Sequence, residues 1–233
     1  MLAHRIMLAG RRAYADEVIA DSPVAWWRLD ETSGTTANDA IGSNHGTYSG
    51  ATLDQSPLIN AGRSVSFSGS SSGISVADAD ALSFVSTAFT LECWVKTSAS
   101  GSTGSLLAKD TSGSVWAEYN LYMLSDGKVR CDVRSGNSDT PKVQATTVVA
   151  VNDGNRHHVV ATFTPSNTLK IYVDKVERAS ASHAIASSYN SSASLRVGRA
   201  SGGSEFAGLL DEVALYASGL SAARVAAHYD AGV

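Results

Sequence analysis

The stretch YNLYMLSDGKVRCDVR, residues 119–134, carries two apolar–polar runs around one turn. In 128–134, Lys, Arg, Asp and Arg alternate with Val129, Cys131 and Val133. A period of two buries one face of a strand and leaves the other wet. Asp126-Gly127 between the runs predicts a type I′ hairpin, because both residues tolerate positive φ. The same grammar recurs outward along the chain. VAWWRL, SVSF, ISV, FTLECWVK, SLLA, KVQATTVV, RHHVVATF, TLKIYV, SLRVG and LLDEVALY all read as short strands, separated by clusters such as NDGN, TPSN and ASGGS. RHHVVATF has apolar residues on both faces and is expected to be more central. Only the ends break the pattern. RRAYADEVIA (11–20) predicts a short helix stopped before Pro23, and Ser221 caps a second helix over AARVAAHY. Residues 1–20 therefore read as an N-terminal arm or docking helix. Residues 21–233 read as an all-β, two-sheet antiparallel sandwich.

With 233 residues, the chain can bury one sizeable core. Charged residues are only 17% and the net charge is −4, so no electrostatic footprint for nucleic acid is visible. No run approaches 18 apolar residues, so membrane insertion is not expected. In MLAHRIMLAGRRAYADEV the apolar IMLA is cut short by Gly10, Arg11 and Arg12, so it does not read as a Sec signal peptide. Cys93 and Cys131 read either as buried free thiols or as one bridge between neighbouring strands.

YADEVIADSPVAWWRLDETSGTTANDAIGSNHGTYSG, FTLECWVK, HHVVATF, LKIYVD and FAGLLDEVALYASGLSAARVAAHY occur in that order. In this they resemble laminin G-like domains of the concanavalin A-like lectin/glucanase superfamily, over residues 14–233. The lead-in to VAWWRL is similar to that of domains attached to phage tail, other virion and bacterial surface proteins. The resemblance implies a jelly-roll sandwich, binding more than catalysis, and often a calcium ion. Two positions depart from it. Arg156 stands where the family has Trp, and Lys175 stands where the hairpin after YVD has Gly, leaving Asp174-Lys175 without the residue best suited to positive φ.

Glucanases of this superfamily carry E-x-D-x-x-E or E-x-D-x-E on one strand, which sets acid and nucleophile on one sheet face. No such run occurs here, so no catalytic residue is assigned. His157 and His158 are adjacent on a strand and point to opposite faces, so they are not expected to share an ion. For glycan binding, the aromatics outside clear core positions are Trp116, Tyr119, Tyr48 and Tyr189; Trp116, beside a Ser/Gly loop, is the most suggestive. Its alternative is an edge aromatic half buried over that loop. After Trp26-Trp27 the chain gathers Asp30, Glu31, Asn38, Asp39 and Asn44. Calcium takes six to eight oxygens, many of them backbone carbonyls. In the family, a structural ion often ties this loop to the acid of the DEV segment, which implies Asp39 and Asp211, with Asp30 as a third ligand. The alternative is that Asp39 caps its own turn and Asp211 bonds backbone amides. Two functions follow. One is a non-catalytic module on a virion or extracellular surface that recognises carbohydrate or another host-surface ligand. The other is a structural virion component making only protein–protein contacts. In either case residues 1–20 are expected to dock on other virion proteins or further copies.

Overall fold

The computed structural model describes residues 13–111, 117–136 and 142–233. In chain order these form α1 (Tyr14–Ala20), β1 (Ala25–Trp27), β2 (Thr36–Ala37), β3 (Gly46–Ser49), β4 (Thr52–Gln55), β5 (Ser64–Ser68), β6 (Gly73–Val76), β7 (Phe89–Lys96) and β8 (Gly104–Asp110). They continue with β9 (Ala117–Met123), β10 (Lys128–Arg134), β11 (Lys142–Ala150), β12 (Arg156–Thr164), β13 (Thr168–Val173), β14 (Val176–Ser182), β15 (Leu195–Val197), β16 (Ala207–Tyr216) and α2 (Ala222–Gly232). Sheet A runs β14-β13-β12-β7-β16-β5-β4, with β1 also paired to β16, and sheet B runs β11-β10-β9-β8-β15-β6-β3-β2. Each of these neighbouring pairs is antiparallel, so the chain is a jelly-roll sandwich of two eight-stranded sheets.

The inward faces meet in one core that includes Trp27, Phe67, Phe89, Leu91, Leu121, Cys131 and Phe163. The outer faces differ. Sheet A carries a second apolar layer outside, where Trp26, Trp94, Val160, Tyr172 and Tyr216 are covered by Tyr14 and Val18 of α1, Val225 of α2, and Leu58 and Ile59. This explains the two-sided apolar pattern of RHHVVATF. Sheet B turns its polar half outward without a comparable cover among the described residues.

Several expectations change. The arm is not separate from the sandwich over Tyr14–Ala20: Tyr14 and Val18 are buried against sheet A, and Glu17 and Asp21 bind Arg224 of α2. Residues 1–12 lie outside the described residues. The Asp126-Gly127 turn is not type I′, since only Gly127 has positive φ, at 82°. Gly127 N–H donates to Leu124 O and Leu124 N–H to Lys128 O, a tight turn followed by one left-handed glycine. At the β13–β14 hairpin it is instead Asp174 and Lys175 that take φ 51° and 62°, so a primed turn is made without glycine and strain is carried there. Asp174 offsets it by accepting from the His158 amide and pairing with His157. Arg156 replaces the family's Trp by laying its guanidinium 6.0 Å from the Trp94 ring centroid and donating to Leu58 O. Cys93 and Cys131 are free and buried.

Candidate binding face and cation rim

The described residues proposed for a glycan rim, Tyr48, Tyr119 and Tyr189, do not form one. Tyr119 shares strand parity with Leu121 and Met123, so it points inward; it is fully buried and its hydroxyl donates to Leu82 O. Tyr48 lies in the same core and donates to Glu31. Burial, with that neighbouring carboxylate, pushes its hydroxyl pKa far up. Both are corrected from rim to core: an inward side chain has no ring face to offer a sugar. Tyr189 is half-buried, its amide bonded to Arg134 O. Trp116 lies outside the described residues.

Asp39 is corrected likewise. Its Oδ1 accepts from the amides of Trp26 and Ile41, and its Oδ2 from the amide and side chain of Asn44. Four donors fill the carboxylate's acceptor sites, so the loop after the aromatic strand is organised by its own aspartate and none is left for an ion. Asp211 is different. A β-bulge between Asp211 and Ala214 turns both Asp211 and Glu212 to the outer side of sheet A. Glu212 accepts from Trp26 Nε1 at 2.6 Å. Asp211 Oδ2 accepts from the Leu58 amide, but Oδ1 is buried with no partner. Burial, reinforced by the charge of nearby Asp30, lifts the Asp211 pKa to about 8. Asp30 holds the Arg63 amide at 2.6 Å and Arg28 at 3.1 Å. Among the described residues no three His, Cys, Asp or Glu side chains are grouped to hold a metal ion. A cation here would therefore draw on Asp211 and Asp30 and otherwise on backbone oxygens. The orphaned Asp211 Oδ1 fits that donor set, and Asp39 does not.

The outer face of sheet B was not singled out in the sequence. Its strand register aligns one row, Thr47, Ser75, Arg196, Ala108, Asn120, Asp132 and Gln144, across seven strands. Beside it runs a second row, Ser105, Tyr122, Arg130 and Thr146. Asp132 Oδ2 accepts from Tyr122 Oη at 3.1 Å and Gln144 Nε2 at 3.0 Å, while Oδ1 is buried and unpaired. Ser105 donates to Asn120 Oδ1, which leaves the Asn120 amide hydrogens to donate elsewhere. Arg130 Nε donates to Thr146. A half-exposed aromatic ring set among amide, carboxylate and guanidinium groups can stack on a sugar and bond its hydroxyls. These two rows hold one carboxylate, Asp132, whereas glycoside hydrolysis uses a pair. The signal for this face lies in the polar half of the KVRCDVR alternation.

Similarity to known proteins follows the geometry. No curated protein sequence matches the chain significantly. Domain 4 of AbnA, a GH43 extracellular arabinanase from Geobacillus stearothermophilus, solved with arabinotriose, superposes with a TM-score of 0.66 at 18% identity, over 89% of this chain and 98% of that one. The binding domain of Paraclostridial Mosquitocidal Protein 1 gives 0.65 at 14% identity, over 89% of this chain and 51% of that one. The binding domain of botulinum neurotoxin DC, in complex with SialylT, gives 0.64 at 9% identity, over 91% and 52%. The chain thus spans about half the length of these toxin binding domains, and at such identities the likeness establishes the fold. A laminin G family model described as concanavalin A-like lectin/glucanases superfamily matches residues 67–226, and the chain belongs to that superfamily.

Proposed function

We propose that the chain is a non-catalytic carbohydrate-binding module whose ligand lies on the outer face of sheet B. The observation that carries this reading is Asp132, whose Oδ1 is buried and unpaired beside Tyr122, Asn120 and Gln144. A buried acceptor without a donor is costly, and a sugar hydroxyl would satisfy it. The arabinotriose and SialylT complexes of two structurally similar domains support a glycan as the ligand class. A setting on a virion or extracellular surface is proposed on the resemblance of the lead-in. Docking of residues 1–20 on other virion proteins or further copies is proposed on their basic, partly apolar composition, and falls on the part before Tyr14, since Tyr14 and Val18 pack on sheet A. No described helix is long and apolar enough to cross a membrane.

Glycan-array screening followed by calorimetry tests the reading. Tyr122→Ala and Asp132→Asn are each expected to weaken binding about 10- to 100-fold, the scale of losing a stacking ring or a charged hydrogen bond. Affinity unchanged in both variants would remove the ligand from this face. Absence of any glycan binding would favour the structural virion role.

A structural calcium ion held by Asp211 and Asp30 is proposed alongside. Bound, it would supply charge compensation for two acidic groups that otherwise repel. Calcium is expected to raise the melting temperature and a chelator to lower it. A hundredfold excess over the dissociation constant corresponds to about 2.7 kcal/mol. Asp211→Ala should abolish the response and Asp39→Ala should not. Native protein free of metal by elemental analysis would end the proposal.

A further inference from the structure

The polar row of sheet B reaches Arg196 on β15, and the turn after that strand adds Arg199. Gly198 has φ 77°, the left-handed turn that carries the chain from β15 to Arg199. The Arg199 stem lies over Gly73, where a Cβ would collide with its Cγ and Cδ, so a bare glycine seats this arginine. Arg199 Nε is buried with no hydrogen-bond partner. Among the described residues no carboxylate pairs with its guanidinium. Arg196 is held differently: its Nη1 reaches Asp110 O and Oδ1 at 3.2 and 3.3 Å and Ser194 O at 3.4 Å. Asp110 also accepts from the Ser201 amide, so its charge is shared. The cleft between them has a volume of about 240 Å³ and is lined by Thr47, Ser49, Ser75, Arg196 and Arg199. Two guanidiniums against one carboxylate make it locally cationic on a chain of net charge −4.

We propose that this cleft receives the anionic group of an acidic glycan, a sugar carboxylate or sulfate ester, while the adjoining rings follow the row toward Asp132. The proposal rests on the glycan-binding reading above. A guanidinium presents a planar fork of donors that matches such oxyanions, and the three hydroxyls can complete their hydrogen bonds. The buried, unpaired Nε is the donor a ligand would satisfy. From Asp132 on β10 to Arg196 on β15 is three strand spacings, about 14 Å. A ligand that fills both ends is an oligosaccharide rather than a single sugar.

Calorimetry with matched neutral, carboxylated and sulfated oligosaccharides tests this. The wild-type chain is expected to bind an acidic form about 10- to 100-fold more tightly than its neutral parent. That preference should shrink as salt is raised. Arg199→Gln should erase the preference and leave neutral binding intact, and Arg199→Lys should retain part of it. Ser75→Glu, which puts a carboxylate into the cleft, should erase it too, and serves if Arg199→Gln does not fold. The carboxylated and sulfated arms identify which group is taken. Equal affinity for neutral and acidic forms, or a preference that survives the variants, overturns the acidic-ligand proposal while the glycan reading stands. No binding of any oligosaccharide overturns both.

Discussion

Glu92→Ala is expected to lower the melting temperature by about 10 °C or more, from a loss of about 3–5 kcal/mol. Glu92 is buried on the outer side of sheet A and accepts from Tyr14 Oη at 2.9 Å, Tyr216 Oη at 2.7 Å, His158 Nε2 at 2.6 Å and His228 Nδ1 at 3.0 Å. The other ring nitrogen of His228 lies 2.9 Å from Asp21 Oδ2. With an acceptor at each nitrogen, His228 is an imidazolium. Burial alone would lower its pKa, but Glu92 and Asp21 outweigh that and raise it to about 9. Burial likewise opposes ionisation of Glu92, and the His228 charge with the hydrogen bonds from both histidines outweighs it and holds the pKa well below the usual range. Alanine at 92 removes one of the two carboxylates that hold the buried His228 cation and leaves three further donors, Tyr14 Oη, Tyr216 Oη and His158 Nε2, without their acceptor. Glutamine keeps an acceptor but not the charge, so its loss should be smaller.

The same cluster sets a pH profile. The His228 contribution is complete below the ordinary histidine value of 6.5 and is lost as pH rises through about 9. The Glu92 contribution is complete above 4.5 and is lost as pH falls through its depressed folded value. The cluster's contribution to thermal stability should therefore be flat between these limits and decline from about pH 6.5 to pH 9, by at most about 3 kcal/mol, on top of the separate loss from ionising Asp211, whose pKa is lifted to about 8. His228→Gln should flatten the alkaline decline. A wild-type melting temperature constant from pH 6 to pH 9 would refute the charged assignment of His228.

Removing residues 1–20 is the second large effect: the sandwich should lose roughly 3–5 kcal/mol rather than melt unchanged. Burying Tyr14 and Val18 is worth about 1.5–3 kcal/mol each, and their departure uncovers Trp94, Tyr216 and His228. Arg224 also loses Glu17 at 2.6 Å. Chemical denaturation of the truncated chain against one lacking only residues 1–12 checks it. The shorter cut should be nearly neutral if the stabilisation lies in α1. Equal stability of the two forms would show that α1 contributes little.

Much of the architecture was legible because alternation reports which side chains go inward. The run 128–134 pairs as expected, with Val129, Cys131 and Val133 in the core. Alternation does not report which outer face is then covered. FTLECWVK, with Glu92 and Trp94 on its outer side, faces the helices, whereas the polar half of KVRCDVR faces away from them, with Lys128 and Arg130 partly exposed and Asp132 and Arg134 buried. That difference depends on where α1 and α2 fold back, a long-range fact. The choice between Tyr119 and Tyr122 was closer to hand: the parity of Leu121 and Met123 already assigns Tyr119 inward and Tyr122 outward. Proximity to a Ser/Gly loop was the weaker guide. At the cation rim, Asp39 and Asp211 look alike as acids near turns. What separates them is the number of amide donors each finds, and only folded coordinates count those.

The pairing of α1 with α2 on the outside of sheet A also has a mechanical meaning. A ligand gripped on sheet B and an attachment made through residues preceding Tyr14 would pull from opposite sides of the sandwich. Tension would reach α1 first and peel it away from Arg224 and His228, one contact after another. The interstrand hydrogen bonds of β7, β12 and β16 would be loaded only afterwards. The clasp around Asp21 would thus act as a fuse that yields under force before sheet B is distorted.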